Sequence, residues 1–501
     1  MTGAGTDLVL ASVLRPGSHS LLDVHVRYGS IAGICPAGTP VDGSRQVRTI
    51  DCGGRYLIPG LWDEHVHMTQ WAMHANRLDL SAATTARAAA AAVGRFIGRF
   101  RDGDDGAPLT AVGVGFRDAL WPDAPSLALL DAATGGRPTA LISHDLHCVW
   151  VNTAAARRFG LEVAASGLLR EEPAFRLTRD LGRLPDELVD GWVDAAARAA
   201  AARGVVGVVD FEMTWNRDPW LRRMAGGFDA LRVEAGVYPQ DLDRAVADGM
   251  RTGLDIAGSG GLLRVGPLKV LIDGSLNTRT AYCVDPYPFG GHGLLTVPVD
   301  ELRALLRRAA DTGFLPAVHA IGDAANQVAL DAFEWSGSGG RIEHAQFVRR
   351  EDLARFGRLG VVASVQPVHA LDDRDAADAN WAGRTERAFP LRSLLDAGAS
   401  LALGSDAPVA PLDPWAAISA ATTRSAFDGR EPWQPQEAIT REQALAASSR
   451  RRGVVLEGGP ADLVLLDADP LSVPDAGLAG MPVAATLVAG RVTCDGGWAG
   501  P

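Results

Sequence analysis

The sequence contains few cysteines, and the way they are spaced narrows the class of protein. Only five of the 501 residues are cysteines, and no two of them stand in a Cys-x-x-Cys pair. An odd number of scattered cysteines argues against a disulfide framework and against a zinc site built from thiolates. We therefore expect a cytoplasmic protein with reduced thiols. The five are Cys35, Cys52, Cys148, Cys283 and Cys494.

The sequence also lacks an excess of positive charge and a long apolar run. Asp plus Glu number 60 against 48 for Lys plus Arg, which gives a net charge of −12. Nucleic acids and anionic membranes both attract basic patches, so we expect neither as a partner. No apolar run approaches the roughly 18 residues that cross a bilayer. The first residues lack the basic and apolar regions of a signal peptide.

Lysine is almost absent from the chain. Among the 48 Lys and Arg residues, Lys269 is the single lysine. Everywhere else arginine supplies the positive side chain, so the one lysine points to a task that a guanidinium group cannot perform.

The two ends of the chain share a pattern of short strands and turns. Residues 7–56 and 454–498 alternate apolar and polar side chains in short runs, with glycine and proline between them. This pattern is typical of strands joined by turns. We predict that residues 1–56 and 454–501 pair into one small β-sandwich domain.

The middle of the chain, residues 57–453, alternates apolar strand candidates with helical segments, which indicates parallel βαβ units. Eight such units close a barrel. The long interval 68–204 is predicted to be an insertion over the barrel mouth. The predicted fold class is α/β, a (β/α)8 TIM-like barrel with an insertion after barrel strand 1. The eight strand candidates are RYLIPGLWDEH, GVVGVVDFE, LRVEAGVY, LRVGPLKVLID, FLPAVHAIG, GRIEHAQ, GVVASVQP and SLALGSDAP.

Several of these strand candidates end in residues that bind metals. His65 and His67 stand two positions apart, so in a strand both imidazoles point to the same face. A lone histidine at a strand end is more often a hydrogen-bonded structural residue, and one such pair can arise by chance. A closed barrel, however, brings the ends of all its strands to one rim. We predict a site for zinc or a similar divalent ion formed by His65, His67, Lys269, His319, His344 and Asp406.

Lys269 is unusual in this set, because an ammonium group repels metal ions. Burial lowers the pKa of a lysine, and a neutral amine can add carbon dioxide to become an anionic carbamate. A carbamate offers two oxygens and could bridge two ions. The alternative is a buried lysine paired with Asp273, four positions further along.

The motifs PGLWDEHVH, GPLKVLIDGS, VHAIGDAAN, RIEHAQ and LGSDAPV resemble those of the amidohydrolase superfamily, in particular its YtcJ-like branch, which includes N-substituted formamide deformylases. The resemblance implies a binuclear centre. His65, His67 and Asp406 would hold one ion, His319 and His344 the other, and carbamylated Lys269 would bridge them. It also suggests substrate contacts from His147, Asn152 and Arg279. The segment 447–460 departs from the branch by being shorter and more basic.

The resemblance implies hydrolysis of a C–N bond in a small amide, formamide or cyclic amide by a hydroxide that bridges two ions, with zinc expected. Asp406 would accept and return the proton, and His147 would stabilise the oxyanion. Trp62 and Trp381 are candidates for an apolar substrate contact, although ordinary packing is the commoner role of tryptophan. The alternatives are a lyase or isomerase, a mononuclear deaminase-type enzyme, and a binding module without catalysis. The partner expected is a small molecule, and the chain could be a monomer or a homo-oligomer.

Overall fold

The computed structural model describes residues 7–39, 47–99, 110–116, 121–143, 148–170, 172–276, 279–288 and 290–497. Its strands are β1 (Leu8–Val13), β2 (Leu22–Arg27), β3 (Ser30–Pro36), β4 (Arg48–Asp51), β5 (Tyr56–Pro59), β6 (Leu61–Val66), β7 (Leu78–Asp79), β8 (Ala111–Phe116), β9 (Thr139–Ser143), β10 (Cys148–Val151), β11 (Leu168–Arg170), β12 (Val205–Asp210), β13 (Arg232–Val237), β14 (Leu263–Leu271), β15 (Pro316–Ala320), β16 (Gly340–His344), β17 (Val361–Val365), β18 (Leu401–Leu403), β19 (Leu463–Leu466), β20 (Val483–Val488) and β21 (Arg491–Asp495).

The helices are α1 (Met68–Ala75), α2 (Ala86–Ile97), α3 (Leu127–Thr134), α4 (Thr153–Arg158), α5 (Glu172–Leu181), α6 (Asp186–Ala201), α7 (Arg217–Ala225), α8 (Leu242–Ala247), α9 (Val299–Asp311), α10 (Asp323–Ser336), α11 (Arg350–Leu359), α12 (His369–Asp372), α13 (Arg374–Asn380), α14 (Leu391–Asp396), α15 (Pro414–Thr423), α16 (Arg441–Ser448) and α17 (Asp475–Leu478). No helix among the described residues is both long and apolar enough to cross a membrane.

Eight parallel strands form the central sheet, in the order β6-β12-β13-β14-β15-β16-β17-β18. A parallel bridge from Val66 to Ala407 joins the first strand to the chain that follows the last, so the sheet is nearly a closed barrel. Strands such as VVGVVD in β12 are buried along their whole length, as expected where helices cover a parallel sheet. Each of the eight predicted segments contributes one strand to this central sheet, which confirms the (β/α)8 barrel.

The two chain ends form two further sheets of four strands each, in the orders β3-β2-β1-β4 and β21-β20-β19-β5. The second of these sheets joins strands from the opposite ends of the chain, because β5 pairs antiparallel with β19. Leu10, Val26, Leu57, Leu465 and Leu487 share one buried apolar core between the two sheets. The small β-sandwich built from both termini is thereby confirmed.

The chain divides into two compact units, one made of residues 1–68 with 197–501 and the other of Thr69–Ala196. The second unit has its own sheet, in the order β11-β10-β9-β8-β7, with both parallel and antiparallel pairs. Its helices begin at side-chain caps, such as Thr85 accepting from the Ala88 amide at the start of α2. This unit is the insertion predicted after barrel strand 1, and its position over the barrel mouth remains a prediction.

Candidate metal centre

The carboxyl end of β6 and the loop after β18 form a first group of metal-binding side chains. His65 Nε2 and His67 Nε2 each lie 3.4 Å from Asp406 Oδ1. Ligand atoms that surround a zinc ion tetrahedrally at about 2.1 Å lie roughly 3.4 Å from one another. The loop after β18 is fixed to β6 by backbone hydrogen bonds, from the Asp406 amide to the His65 carbonyl and from the His67 amide to the Ala407 carbonyl.

A second group shares Asp406 with the first. His344 ends β16, and His369 begins α12 just after β17; both are buried. Their ligand atoms and a carboxylate oxygen of Asp406 all lie within 4.8 Å of one another. The two imidazole rings are stacked with centroids 6.1 Å apart. Four of the six predicted positions, His65, His67, His344 and Asp406, therefore lie in two adjacent groups, with Asp406 in both.

The unsatisfied atoms of these histidines fit metal ligation. The buried nitrogens His67 Nδ1, His344 Nδ1 and His369 Nε2 have no hydrogen-bond partner among the described residues. Leaving a buried polar atom without a partner costs about 1–3 kcal/mol, and an imidazole nitrogen that binds an ion avoids that cost. Imidazole and carboxylate groups are the donors that divalent zinc prefers. The residues present thus fit a divalent ion.

Lys269 lies inside the barrel on β14 and is 2% exposed. Its Nζ is 3.1 Å from His65 Nε2 and 4.4 Å from the centre of the Phe211 ring. Burial lowers the pKa of Lys269 to about 8. Within the described part of the chain Lys269 forms no ion pair. The alternative partner, Asp273, instead accepts hydrogen bonds from the amides of Tyr282, Ile321 and Gly322.

The other nitrogen of His65 is held by a buried carboxylate. His65 Nδ1 lies 2.7 Å from Glu343 Oε2. The other ring nitrogen, Nε2, lies 3.4 Å from Asp406 Oδ1 and 3.1 Å from Lys269 Nζ. A carboxylate behind an imidazole in this way orients a metal ligand.

Burial is the largest single influence on the pKa values of His65, His344 and Asp406. Burial and then the charge of Lys269 lower the pKa of His65 to about 4. Burial and neighbouring His319 hold the pKa of His344 well below its ordinary value. For Asp406 burial acts in the opposite direction, but His65 and His67 overcome it and hold its pKa well below the usual range. Neutral imidazoles and an ionised carboxylate are the states that bind a cation.

His319, at the end of β15, lies beside the second group. Its ring centroid is 4.5 Å from that of His344. Its Nε2 is 3.2 Å from the Gly274 carbonyl oxygen and 3.3 Å from Asp273 Oδ1. His369 therefore occupies the place in the second group that the resemblance gives to His319, and the ligand role of His319 stays a prediction.

The structure gives different surroundings to the predicted substrate contacts. His147 lies outside the described residues, so its role stays a prediction. Asn152 is fully buried in the second unit, where its side chain bonds to the Thr139 and Ala155 amides, the Thr134 hydroxyl and the Arg137 carbonyl. Arg279 follows β14 with a left-handed φ of 58°.

The two tryptophans are packed inside the first unit. Trp62 is the second residue of β6, 5% exposed, with the Arg450 guanidinium 3.4 Å from its ring centre. Trp381 is fully buried and stacks on Phe347 with ring centres 4.3 Å apart. Both rings make packing contacts here, and a substrate contact from either remains untested.

Sequence reasoning missed two residues of the centre, His369 and Glu343. His369 stands in the motif SVQPVH directly after barrel strand seven, so the rule that sites form at strand ends could have found it. Glu343 precedes His344, and strict alternation along a strand would have turned it away from the site.

A (β/α)8 barrel with histidine and aspartate side chains that could hold a metal ion at the carboxyl ends of its strands is typical of a class of metal-dependent enzymes. The model of the amidohydrolase family matches residues 48–494, and the chain belongs to that family. The match supports a hydrolase.

Relatives cover most of the chain. Protein LONG AFTER FAR-RED 3 of Arabidopsis thaliana is 27% identical, over 85% of this chain and 77% of its own. Putative amidohydrolase YtcJ of Bacillus subtilis is 25% identical, over 90% and 91%. The N-substituted formamide deformylase of Arthrobacter pascens is 26% identical, over 88% and 89%. These relatives confirm the YtcJ-like branch.

The fold also matches a solved structure. An uncharacterized metal-dependent hydrolase from Pyrococcus furiosus superposes with a TM-score of 0.76 at 24% identity, over 93% of this chain and 100% of that one. At this identity the likeness supports the barrel and its additional sheets alone.

Proposed function

We propose that the protein hydrolyses a C–N bond of a small amide, formamide or cyclic amide, using two divalent ions, most simply zinc. The observation that carries this proposal is the pair of groups that share Asp406, His65 with His67 and His344 with His369. When bound, two divalent ions supply a water activated near neutral pH and polarise the substrate carbonyl.

The residues of the chain would then position the reactants and move one proton. Asp406 lies between the two groups, so its carboxylate can accept the proton of the attacking water. The same oxygen can return that proton to the leaving nitrogen, as general base and then general acid. Glu343 holds His65 Nδ1 at 2.7 Å and thereby fixes the ring while this happens.

Lys269 is proposed to carry a carbamate. Its amine adds to carbon dioxide, forms an N–C bond and releases one proton, which leaves an anionic group with two oxygens. The support is the burial of this sole lysine, its distance of 3.1 Å from His65 Nε2 and the absence of an ion pair with any described carboxylate. An arginine at this position cannot undergo this reaction.

The substrate class rests on the relatives. One of them is an N-substituted formamide deformylase, so N-substituted formamides are the first substrates to try, followed by simple and cyclic amides. A mononuclear deaminase-type enzyme is the second candidate, because His65, His67 and Asp406 alone suffice to hold one ion.

The deciding experiment compares metal content and hydrolysis in wild-type protein, Lys269→Arg, Asp406→Asn and the control Arg264→Gln. Arg264 lies on the same strand β14 but pairs with Asp255 at the surface. We expect about two divalent ions per chain in wild type and control, fewer in Lys269→Arg, and loss of turnover in both site variants. For Asp406→Asn the loss should be roughly 10²–10⁴-fold, the usual contribution of a general base.

Each other outcome selects an alternative. One ion in wild type and in Lys269→Arg alike would favour the mononuclear enzyme. A product formed without the addition of water would favour a lyase or isomerase. Wild-type protein that binds no ion after expression with added metal would refute the metal-dependent proposal.

A further inference from the structure

The segment between α16 and the small β domain is the part of the sequence that departs from the family pattern, and its role lies outside the proposed chemistry. It contains Arg450 and Arg451, which both have left-handed backbone conformations, with φ of 55° and 64°. A residue with a Cβ pays about 1–2 kcal/mol for that conformation. Because two left-handed residues follow one another here, we infer that the contacts of at least one of their side chains offset this strain.

Arg450 reaches the barrel interior, whereas Arg451 is exposed. The Arg450 Nε lies 3.0 Å from Glu64 Oε1, and its Nη1 lies 2.6 Å from Glu234 Oε1. These carboxylates stand on β6 and β13, so one guanidinium group joins two strands of the barrel. The Arg451 side chain makes no ion pair with the described residues.

The contacts continue from Glu64 to the metal centre. Arg341 Nη1 donates to Glu64 Oε2 at 2.8 Å, and Arg341 Nε donates to Glu343 Oε1 at 2.5 Å. Glu343 Oε2 in turn lies 2.7 Å from His65 Nδ1. A column of alternating charges therefore runs from Arg450 through Glu64, Arg341 and Glu343 to His65.

The column ends at a cavity on the face of the barrel opposite the metal centre. This cavity has a volume of about 470 Å³ and is lined by Arg450 and by Gly340, Val362 and Leu401, which lie at the starts of their strands. Glu64, Glu234 and Glu343 face only two guanidinium groups in the column, those of Arg341 and Arg450. Without Arg450, these three carboxylates would face only the guanidinium group of Arg341. An uncompensated buried charge rearranges its neighbours.

We propose that Arg450 is a positioning residue for the metal centre: by holding Glu64 it fixes Arg341 and Glu343, and thereby the ring of His65. The inference rests on the metal binding put forward under the proposed function. Loss of Arg450 frees Glu64 to draw Arg341 away from Glu343, which loosens the contact of Glu343 with the His65 ring. Changes to the partners that support metal ligands typically weaken metal binding 10–100-fold.

The test measures zinc dissociation constants by competition with a chelator in wild type, Arg450→Met and the matched control Arg451→Met. We expect roughly tenfold weaker binding in Arg450→Met, a changed visible spectrum of its Co²⁺ form, and wild-type values for Arg451→Met. Equal affinities and equal spectra in all three proteins would overturn the inference alone. Wild-type protein that binds no zinc would overturn it together with the proposed function.

Arg450→Lys keeps the test decisive if Arg450→Met fails to fold. Lys can reach only one of the two carboxylates at a time, so Arg450→Lys should bind zinc more weakly than wild type; wild-type affinity in Arg450→Lys would contradict the proposal. Glu64→Gln and the Glu64→Gln, Arg450→Lys double variant complete a cycle with Arg450→Lys. If the column exists, the Arg450 substitution should weaken zinc binding less in the Glu64→Gln background than in the wild-type background. Additive losses of zinc affinity would contradict the column.

Discussion

Asp406 belongs to both groups of the metal centre, and its surroundings suit a shared ligand. The residue takes a left-handed φ of 56°, and its amide bonds to the His65 carbonyl. Although burial raises its pKa, the interactions with His65 and His67 more than offset this and hold the pKa of its carboxyl group well below the ordinary value. A left-handed aspartate at the end of a barrel strand is the kind of strained backbone that clusters at functional sites.

The second group leads to a prediction about His369. Because His369 lies with His344 and Asp406, His369→Ala should lose about one of two bound ions and keep the other at His65 and His67. Metal analysis after dialysis measures this, with His19→Ala, an exposed histidine, as control. His319→Ala made in parallel tests the ligand role that the resemblance gives to His319. Two ions retained in His369→Ala would show that His369 is not a ligand.

The sequence was informative about candidate ligands at the ends of strands. It was less informative about the other residues of the site. His65, His67, His319, His344 and Asp406 could be recognised because each follows an apolar run. His369 lies four positions beyond β17, on a helix of four residues, where no strand pattern marks it. Glu343 and His344 both reach the interior because His344 has a left-handed φ of 74°, and the alternation of a strand does not anticipate such a break.

At the level of elements, one side-chain contact between the paired strands β6 and β12 is especially close. The Trp62 ring lies against Gly207 of β12, where an added Cβ would come within 2.6 Å of the indole. Trp62 is also flanked by Val206 and Val488. This indole thus connects the barrel to the small β domain, since Val488 belongs to β20.

Gly207→Ala is therefore predicted to destabilise the protein. The added methyl group must displace a buried indole, and such overpacking costs about 1–3 kcal/mol. Gly191→Ala is the matched control, because nothing lies within 4 Å of its added Cβ and alanine favours a helix over glycine by roughly 1 kcal/mol. Urea unfolding followed by circular dichroism measures both. A Gly207→Ala variant as stable as wild type would show that the ring can move at little cost.

The barrel elements were predictable because each strand is a continuous apolar run between helices. The sheet of the second unit was not, since β7 has two residues and β11 has three. Segments that short carry neither the period of a strand nor that of a helix. The sequence therefore predicted an insertion there but not its architecture.

At the scale of the whole molecule, the cysteines differ in how deeply the folded chain buries their thiols. Cys52, Cys148 and Cys283 are buried, whereas Cys35 and Cys494 are partly exposed. Burial raises the pKa of Cys52 to about 12 and that of Cys283 to about 11. Since only the thiolate is nucleophilic, both burial and the raised pKa values protect these groups.

We accordingly predict that two of the five cysteines react rapidly with a disulfide reagent at pH 8 in the native protein. All five should react in guanidinium chloride, which provides the internal control. Cys35→Ser and Cys494→Ser should each remove one rapid equivalent. Rapid reaction of three or more thiols in the native state would mean that a core described as closed opens readily.

The sparse use of lysine gives the folded chain an unusual chemical surface. Its 501 residues carry one ε-amino group, and that group is 2% exposed inside the barrel. A protease that cuts after lysine has a single target, the peptide bond after Lys269. Because this bond lies inside β14, the barrel must open before the protease can cut it. Acylating reagents aimed at lysine side chains face the same obstacle. The rate at which the two fragments 1–269 and 270–501 appear would therefore report how often the barrel opens.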